Sequence, residues 1–139
     1  MKTMQKLMIV AVVLGSFLVL SFVVPQEQKK AAAWTVPDKY MKMTNPTKAD
    51  AASINVGKML WGKHCKSCHG NIGLGDGPKA GQLKVHPGNF TTADFQKQKD
   101  GEIYYKAIIG RDEMPNFESK IPEEQDRWAL INYIRTLKK

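Results

Sequence analysis

"KHCKSCHG", residues 63–70, holds both cysteines of the chain and two of its three histidines. Two thiols and two imidazoles within six consecutive positions constrain the fold more than any other stretch, because whatever they bind must sit inside the chain's one core. Four chemistries compete for such a segment: a disulfide, a thiol-redox pair, a metal site and a covalently attached cofactor.

The room for that core is limited. Of the 139 residues, the first 24 contain a dense apolar block from Leu7 to Val24 that carries no charge. Lys2 and Lys6 precede it. A basic segment followed by an apolar run reads as an export signal. As a helix, the run would be about 27 Å long, close to the thickness of a bilayer core. Cleavage options are poor: "AAA" at 31–33 lies beyond the polar "PQEQKK", and Val19 and Ser21 offer only a weaker site inside the run. Residues 1–24 are therefore expected to be an uncleaved N-terminal hydrophobic helix, a signal anchor that holds the protein to the membrane through residues 7–24. The alternative is a cleaved signal peptide. No cysteine follows the run to accept a lipid.

Residues 25–50 read as a tether, with three prolines, several lysines and no sustained period. Such a stretch cannot bury enough surface to fold alone. Trp34, Val36 and Tyr40 are too apolar for a pure spacer, which predicts that this part lies against the domain. The domain proper is then 51–139, small enough that a cofactor or a crosslink would have to supplement its core.

The domain reads as all-α. "ADAASINVGKMLWGKHC" has Asp50 or Ser53 as N-cap, with apolar positions at Ile54, Leu60 and Trp61 and with Gly57 on the same face. "GNIGLGDGPKAGQ" is glycine-rich loop. "TTADFQ" predicts a single turn. "DGEIYYKAIIG" predicts a short helix capped by Asp100 and stopped at Gly110. The clearest helix is "PEEQDRWALINYIRTLKK", with Pro122 in its first position, acids near its start and bases near its end. No strand pair is evident.

These elements decide among the four chemistries. A disulfide across C-x-x-C closes a very short loop and stabilises little. A thioredoxin-like pair needs a strand before the motif and a βαβ frame, whereas a helix precedes it here. His64, Cys65, Cys68 and His69 cannot converge on one zinc ion, because adjacent residues point to different sides of a helix. Covalent haem uses every residue: C-x-x-C-H is the signature of c-type attachment, with Cys65 and Cys68 meeting the two vinyl groups and His69 rising beneath the iron. One haem c is predicted, bound through Cys65 and Cys68.

A second axial ligand separates a carrier from an enzyme. Met114, in "GRDEMPNF" between the last two helices, is the expected partner of His69 on the iron, since a soft thioether favours Fe(II) and raises the potential. Pro115 fixes the backbone beside it. His86 in "KVHPGNF" is the rival. Met59 suits core filling better, and Met41 and Met43, which precede the domain, are weaker candidates.

On "GKMLWGKHCKSCHG", "GLGDGPKAG", "HPGNF", "DEMPNF" and "DRWALINYIRTL", which cover nearly all of residues 51–139, the chain resembles a small bacterial class I c-type cytochrome. The resemblance implies a few helices around one covalently bound haem. It implies that the last helix crosses the first at Gly57, with Tyr133 packed there and Trp61 one turn before the motif. It also implies a proline carbonyl behind His69, for which Pro78 is the candidate. The apolar shell expected around the haem is Trp61, Leu74, Leu83, Phe90, Phe117, Trp128 and Ile131.

The function expected from these residues is one-electron transfer, not enzymatic turnover. Partners would be redox proteins, a quinol-oxidising complex on one side and a terminal oxidase or reductase on the other. Two further readings stand beside it: a haem subunit of a larger respiratory complex, and a haem peroxidase or gas sensor, which would need an open sixth position. Without residues 1–33, 17 basic residues stand against 12 acidic ones. Lys63, Lys66, Lys79 and Lys84 would form a positive rim that steers an acidic partner. Nucleic-acid binding is not expected, since no basic run interleaves with aromatics. Lys2 and Lys6 keep the amino terminus cytoplasmic by the positive-inside rule, which puts the haem domain on the periplasmic or outer side of the inner membrane. Signal cleavage would instead give a soluble periplasmic protein.

Overall fold

The computed structural model describes residues 31–139. The apolar run of residues 7–24 lies outside the described residues, and among these no helix is long and apolar enough to cross a membrane.

Among the described residues there are six short α-helices and three tighter or wider turns. A single turn, α1 (Asp38–Met41), precedes α2 (Ala51–Leu60), which runs through a π-helical turn (Trp61–Cys65) into α3 (Lys66–His69). A 3₁₀ turn (Ala80–Gln82) and α4 (Ala93–Gln96) lie in the long connection that follows. Next come α5 (Asp100–Tyr104), continued by a second π-helical turn (Tyr105–Ile109), and α6 (Glu124–Thr136). An isolated β-type bridge pairs Arg111 with Met114. The all-α expectation is met.

Local chemistry sets most boundaries. Asp50 caps α2, its side chain accepting from the Ser53 N–H at 3.0 Å. Thr92 caps α4 in the same way through the Phe95 N–H. The cap of α5 differs from expectation. It is Lys99, whose N–H donates to the Glu102 carboxylate at 3.0 Å. Asp100 instead faces Arg135 of α6, accepting from Nε at 2.8 Å and Nη2 at 2.5 Å. Helix α6 starts later than expected, with Glu123 as its cap and Pro122 before it. The reason is Arg127, which donates to the carbonyls of Glu118, Ile121 and Pro122 and so satisfies them without a helical turn.

Helices α2 and α6 form the frame. They meet at Gly57, where a Cβ would overlap the Ala129 carbonyl oxygen and stand 2.7 Å from the Tyr133 Cβ. Only a hydrogen fits, and the two backbones touch. Around this crossing Trp61, Ile103, Ile108, Trp128, Ile131 and Ile134 are buried to within 2% of full enclosure.

The segment before α2 belongs to the fold. Asn132 of α6, buried, donates to the carbonyls of Thr47 and Lys48 and to the Ser53 hydroxyl, and accepts from Asn45 at 2.8 Å. Tyr40 packs on Tyr105 with ring centroids 4.7 Å apart, and Trp34 meets the same ring edge-on at 6.2 Å. As Trp34, Val36 and Tyr40 suggested, this part of the tether lies against the domain.

Candidate functional site

The motif occupies a change of pitch. Cys65 closes the π-helical turn, and Cys68 and His69 follow on α3. Both cysteines are free thiols. Burial pushes the Cys65 thiol up to about 12, with Cys68 adding to the effect, so it is protonated at neutral pH.

His69 is enclosed, with 7% of its surface exposed. Its ring lies 4.6 Å from that of Phe90 and 5.9 Å from that of Trp61, centroid to centroid. Phe95 stacks on Phe90 at 4.2 Å. Trp61 is itself held by a hydrogen bond from its indole N–H to the Gly70 carbonyl at 3.0 Å. Burial lowers the His69 pKa to about 4; the Pro87 carbonyl raises it and His86 lowers it further. The imidazole is therefore neutral above that value, the form that binds a metal. Its Nδ1 is buried without a hydrogen-bond partner.

The carbonyl that acts on His69 is thus that of Pro87, not Pro78. Pro78 is exposed, in a loop whose N–H groups grip the motif from outside: Gly75 donates to the His69 carbonyl, Gly77 to that of Cys68 and Lys79 to that of Ser67. The chain then returns past His69 through "HPGNF", where the Phe90 N–H donates to the Gly73 carbonyl at 2.7 Å.

Cys65, His69 and Met114 line one small cavity of about 30 Å³. Its remaining walls are Trp61, Phe90, Phe95, Ile103, Ala107, Ile134 and the stem of Lys106. Of the expected shell, Trp61 and Phe90 are in place. Leu74, Leu83, Phe117, Trp128 and Ile131 are not among the lining residues. Trp128 instead packs on Tyr104 at 4.4 Å, on another face of α6. Phe117 meets the edge of His64 at 5.6 Å.

Sequence reasoning missed Phe95, Ile103, Ala107, Ile134 and Lys106. The two π-helical turns account for part of this, for they supply Trp61, Cys65, Lys106 and Ala107 to the cavity. Lys106 lines it with its stem while its ammonium reaches Gln98 and Glu102.

His86 is exposed and its Nδ1 accepts from the Gly88 N–H at 3.0 Å. Its ring lies against Gly75, the residue that bonds the His69 carbonyl, so it stands on the His69 side of the site.

A buried neutral imidazole, two thiols at C-x-x-C spacing and apolar walls fit a covalently attached haem. Among the described residues, no group of three or more His, Cys, Asp and Glu side chains forms an alternative metal site. A second, open cleft between the Thr47–Ser53 segment and Glu124–Ala129 contains neither thiol nor imidazole.

Comparison with known proteins agrees with this chemistry. The family model described as cytochrome c matches residues 54–138. No curated protein matches the chain. Among solved structures, a chain of the reducing HAO-like protein complex of Kuenenia stuttgartiensis is similar, with 27% sequence identity and a TM-score of 0.60. The match covers 71% of this chain and 49% of that one, so the chain spans about half the length of that relative.

Proposed function

Since the chain belongs to the cytochrome c family, we propose that it is a one-electron carrier whose single c-type haem has His69 and Met114 as axial ligands, and that it moves electrons between membrane respiratory complexes. Haem-based electron transfer is what the family supports, with the haem held covalently through Cys65 and Cys68. The ligand pair rests on one observation: the thioether-bearing Met114 lines the same apolar cavity as His69 and Cys65.

Bound there, the haem supplies the Fe(III)/Fe(II) couple. The chain's own residues do the rest. His69 presents a neutral imidazole because burial keeps the proton off it. The Pro87 carbonyl biases the ring's orientation. Met114 offers a soft sulfur, which favours the reduced state. Trp61, Phe90, Phe95 and Ile134 exclude water and so raise the cost of the extra charge on the oxidised centre. The electron-transfer chemistry of the family supports reading the protein as a carrier and not as an enzyme.

Replacement of Met114 tests the ligand pair. Met114→Ala should keep covalent haem, lose the far-red band characteristic of methionine–haem ligation, admit carbon monoxide and lower the potential. His86→Ala should change none of these, because His86 stands beside the His69 side of the cavity. The opposite result would transfer the sixth position to His86, and a parent protein that already binds carbon monoxide would favour a peroxidase or sensor.

A second reading has its own support. The similar solved chain belongs to a protein complex and is about twice as long as the matched region, so the domain could serve as a haem subunit with a fixed partner. Native electrophoresis of a mild detergent extract, stained for haem, separates a free carrier from a subunit. The proposed location is the inner membrane, with residues 7–24 as anchor and the haem domain on the periplasmic or outer side. The apolar run and the preceding lysines support it. The proposed partners are a quinol-oxidising complex and a terminal oxidase or reductase. Soluble recovery of a chain beginning near Phe22 or Trp34 would argue for signal cleavage instead.

A further inference from the structure

The loop that carries Met114 is tight. It opens at Gly110, at φ 71°, where a Cβ would stand 2.5 Å from the Pro115 carbonyl oxygen. Asp112 also takes a left-handed φ of 50°, which is costly for a residue with a side chain. The Met114 N–H closes the turn on the Arg111 carbonyl at 2.9 Å. Such a turn needs holding from outside, and the side chain that reaches out of it is Arg111.

Apart from an ion pair with its neighbour Asp112 at 3.9 Å, Arg111 reaches out of the family domain. Its Nη1 donates to the Ala33 carbonyl at 2.8 Å and its Nη2 to the Ala32 carbonyl. Its guanidinium carbon lies 4.1 Å above the centroid of the Trp34 ring. Trp34 in turn meets Tyr105, and Tyr105 meets Tyr40 of α1. The segment is seated a second time at Gly101 of α5, where a Cβ would overlap the Tyr40 carbonyl oxygen and stand 3.0 Å from the Met43 Cβ. Residues 32–43 thus form a strap, outside the matched region of 54–138, that is seated on α5 and ends on the methionine loop.

We propose that Trp34 and Arg111 are positioning residues for the sixth ligand: the strap clamps the Gly110–Pro115 turn through the Arg111 guanidinium, and releasing it frees Met114. The inference rests on the ligation by Met114 proposed above. A planar guanidinium suits this task, since it stacks on an indole and bonds two carbonyls at once. Lysine can do only part of it.

The test uses the full-length haem protein carrying Trp34→Ala, Arg111→Gln, Trp34→Phe or Arg111→Lys, with Met114→Ala as reference. Each is measured for the far-red band, carbon monoxide affinity and Tm. Trp34→Ala and Arg111→Gln should weaken the band and raise carbon monoxide affinity about tenfold, the factor that corresponds to about 1.4 kcal/mol of lost anchoring. Trp34→Phe should restore most of the parent behaviour, and Arg111→Lys should fall between. Variants that lower Tm but keep the parent's band and affinity would overturn the strap and leave the ligand pair standing. A silent Met114→Ala would overturn both. If Arg111→Gln yields no haem protein, the graded response from parent through Trp34→Phe to Trp34→Ala decides alone.

Discussion

Gly57 of α2 and Ala129 of α6 touch through their backbones, so that a single added methyl on Gly57 has no space to occupy. The obstacle is a carbonyl oxygen, which cannot rotate away as a side chain could. The whole arrangement of the cavity depends on this distance, since α2 leads into Trp61 and the motif while α6 brings Ile134.

Gly57→Ala should therefore destabilise the holoprotein. Alanine gains about 1 kcal/mol in helix propensity over glycine, but forcing two packed helices apart costs about 1–3 kcal/mol or more. The net loss should reach about 1–2 kcal/mol, with a larger loss for Gly57→Val. Thermal unfolding followed at the haem band measures it. A Tm at or above that of the parent would show that α6 yields freely.

The two thiols should contribute separately to attachment. Cys65→Ser or Cys68→Ser should each leave haem held by one thioether, visible as coloured protein on a denaturing gel. The double variant should lose all colour on that gel. A small domain whose central cavity is lined by Cys65, His69 and Met114 has little else to replace the missing packing. A double variant that stays helical and unfolds cooperatively without haem would contradict this.

His64 should make stability pH-dependent. Its Nε2 is buried without a partner. Burial first, then the charges of Lys63 and Lys120, hold its pKa below the ordinary 6.5. The unfolded chain takes a proton as the pH falls through 6.5 while the folded chain resists it, so stability is present above that value and declines below it. Denaturant unfolding of the holoprotein at pH 7 and pH 5 should show a smaller loss for His64→Gln than for the parent. Equal losses would mean that the ring escapes to solvent when charged.

Much of this is legible in the sequence where the cause is local. Asp50 caps α2 and Gly110 ends the turn after α5 because short-range rules decide them. What escapes is set by distant chain. The carbonyl at His69 comes from Pro87, not from Pro78, because the route back is decided by the pairing of Phe90 with Gly73. Helix α6 is apolar around most of its circumference, so periodicity cannot tell which apolar residue meets the cavity. Trp128 and Ile134, about 240° apart at roughly 100° per residue, face different neighbours, and only Ile134 reaches it. The π-helical turns leave no periodic trace, yet they set the angle at which Cys65 and Ala107 enter. Lys106 looks like surface because its charge hides the apolar stem.

The cavity's walls are drawn from the whole length of the domain, from Trp61 to Ile134, and this orders its assembly in time. A chain grows from its amino end and folds as segments appear. Cys65, Cys68 and His69 exist well before Met114, and Ile134 arrives nearly last. Until α6 docks at Gly57, the cavity lacks the wall that Ile134 supplies. Attachment of a bulky macrocycle thus has an early window, which the final helix closes. A protein that docked α6 too readily would shut out its own cofactor, so a frame that is weak until haem is in place is an advantage for maturation.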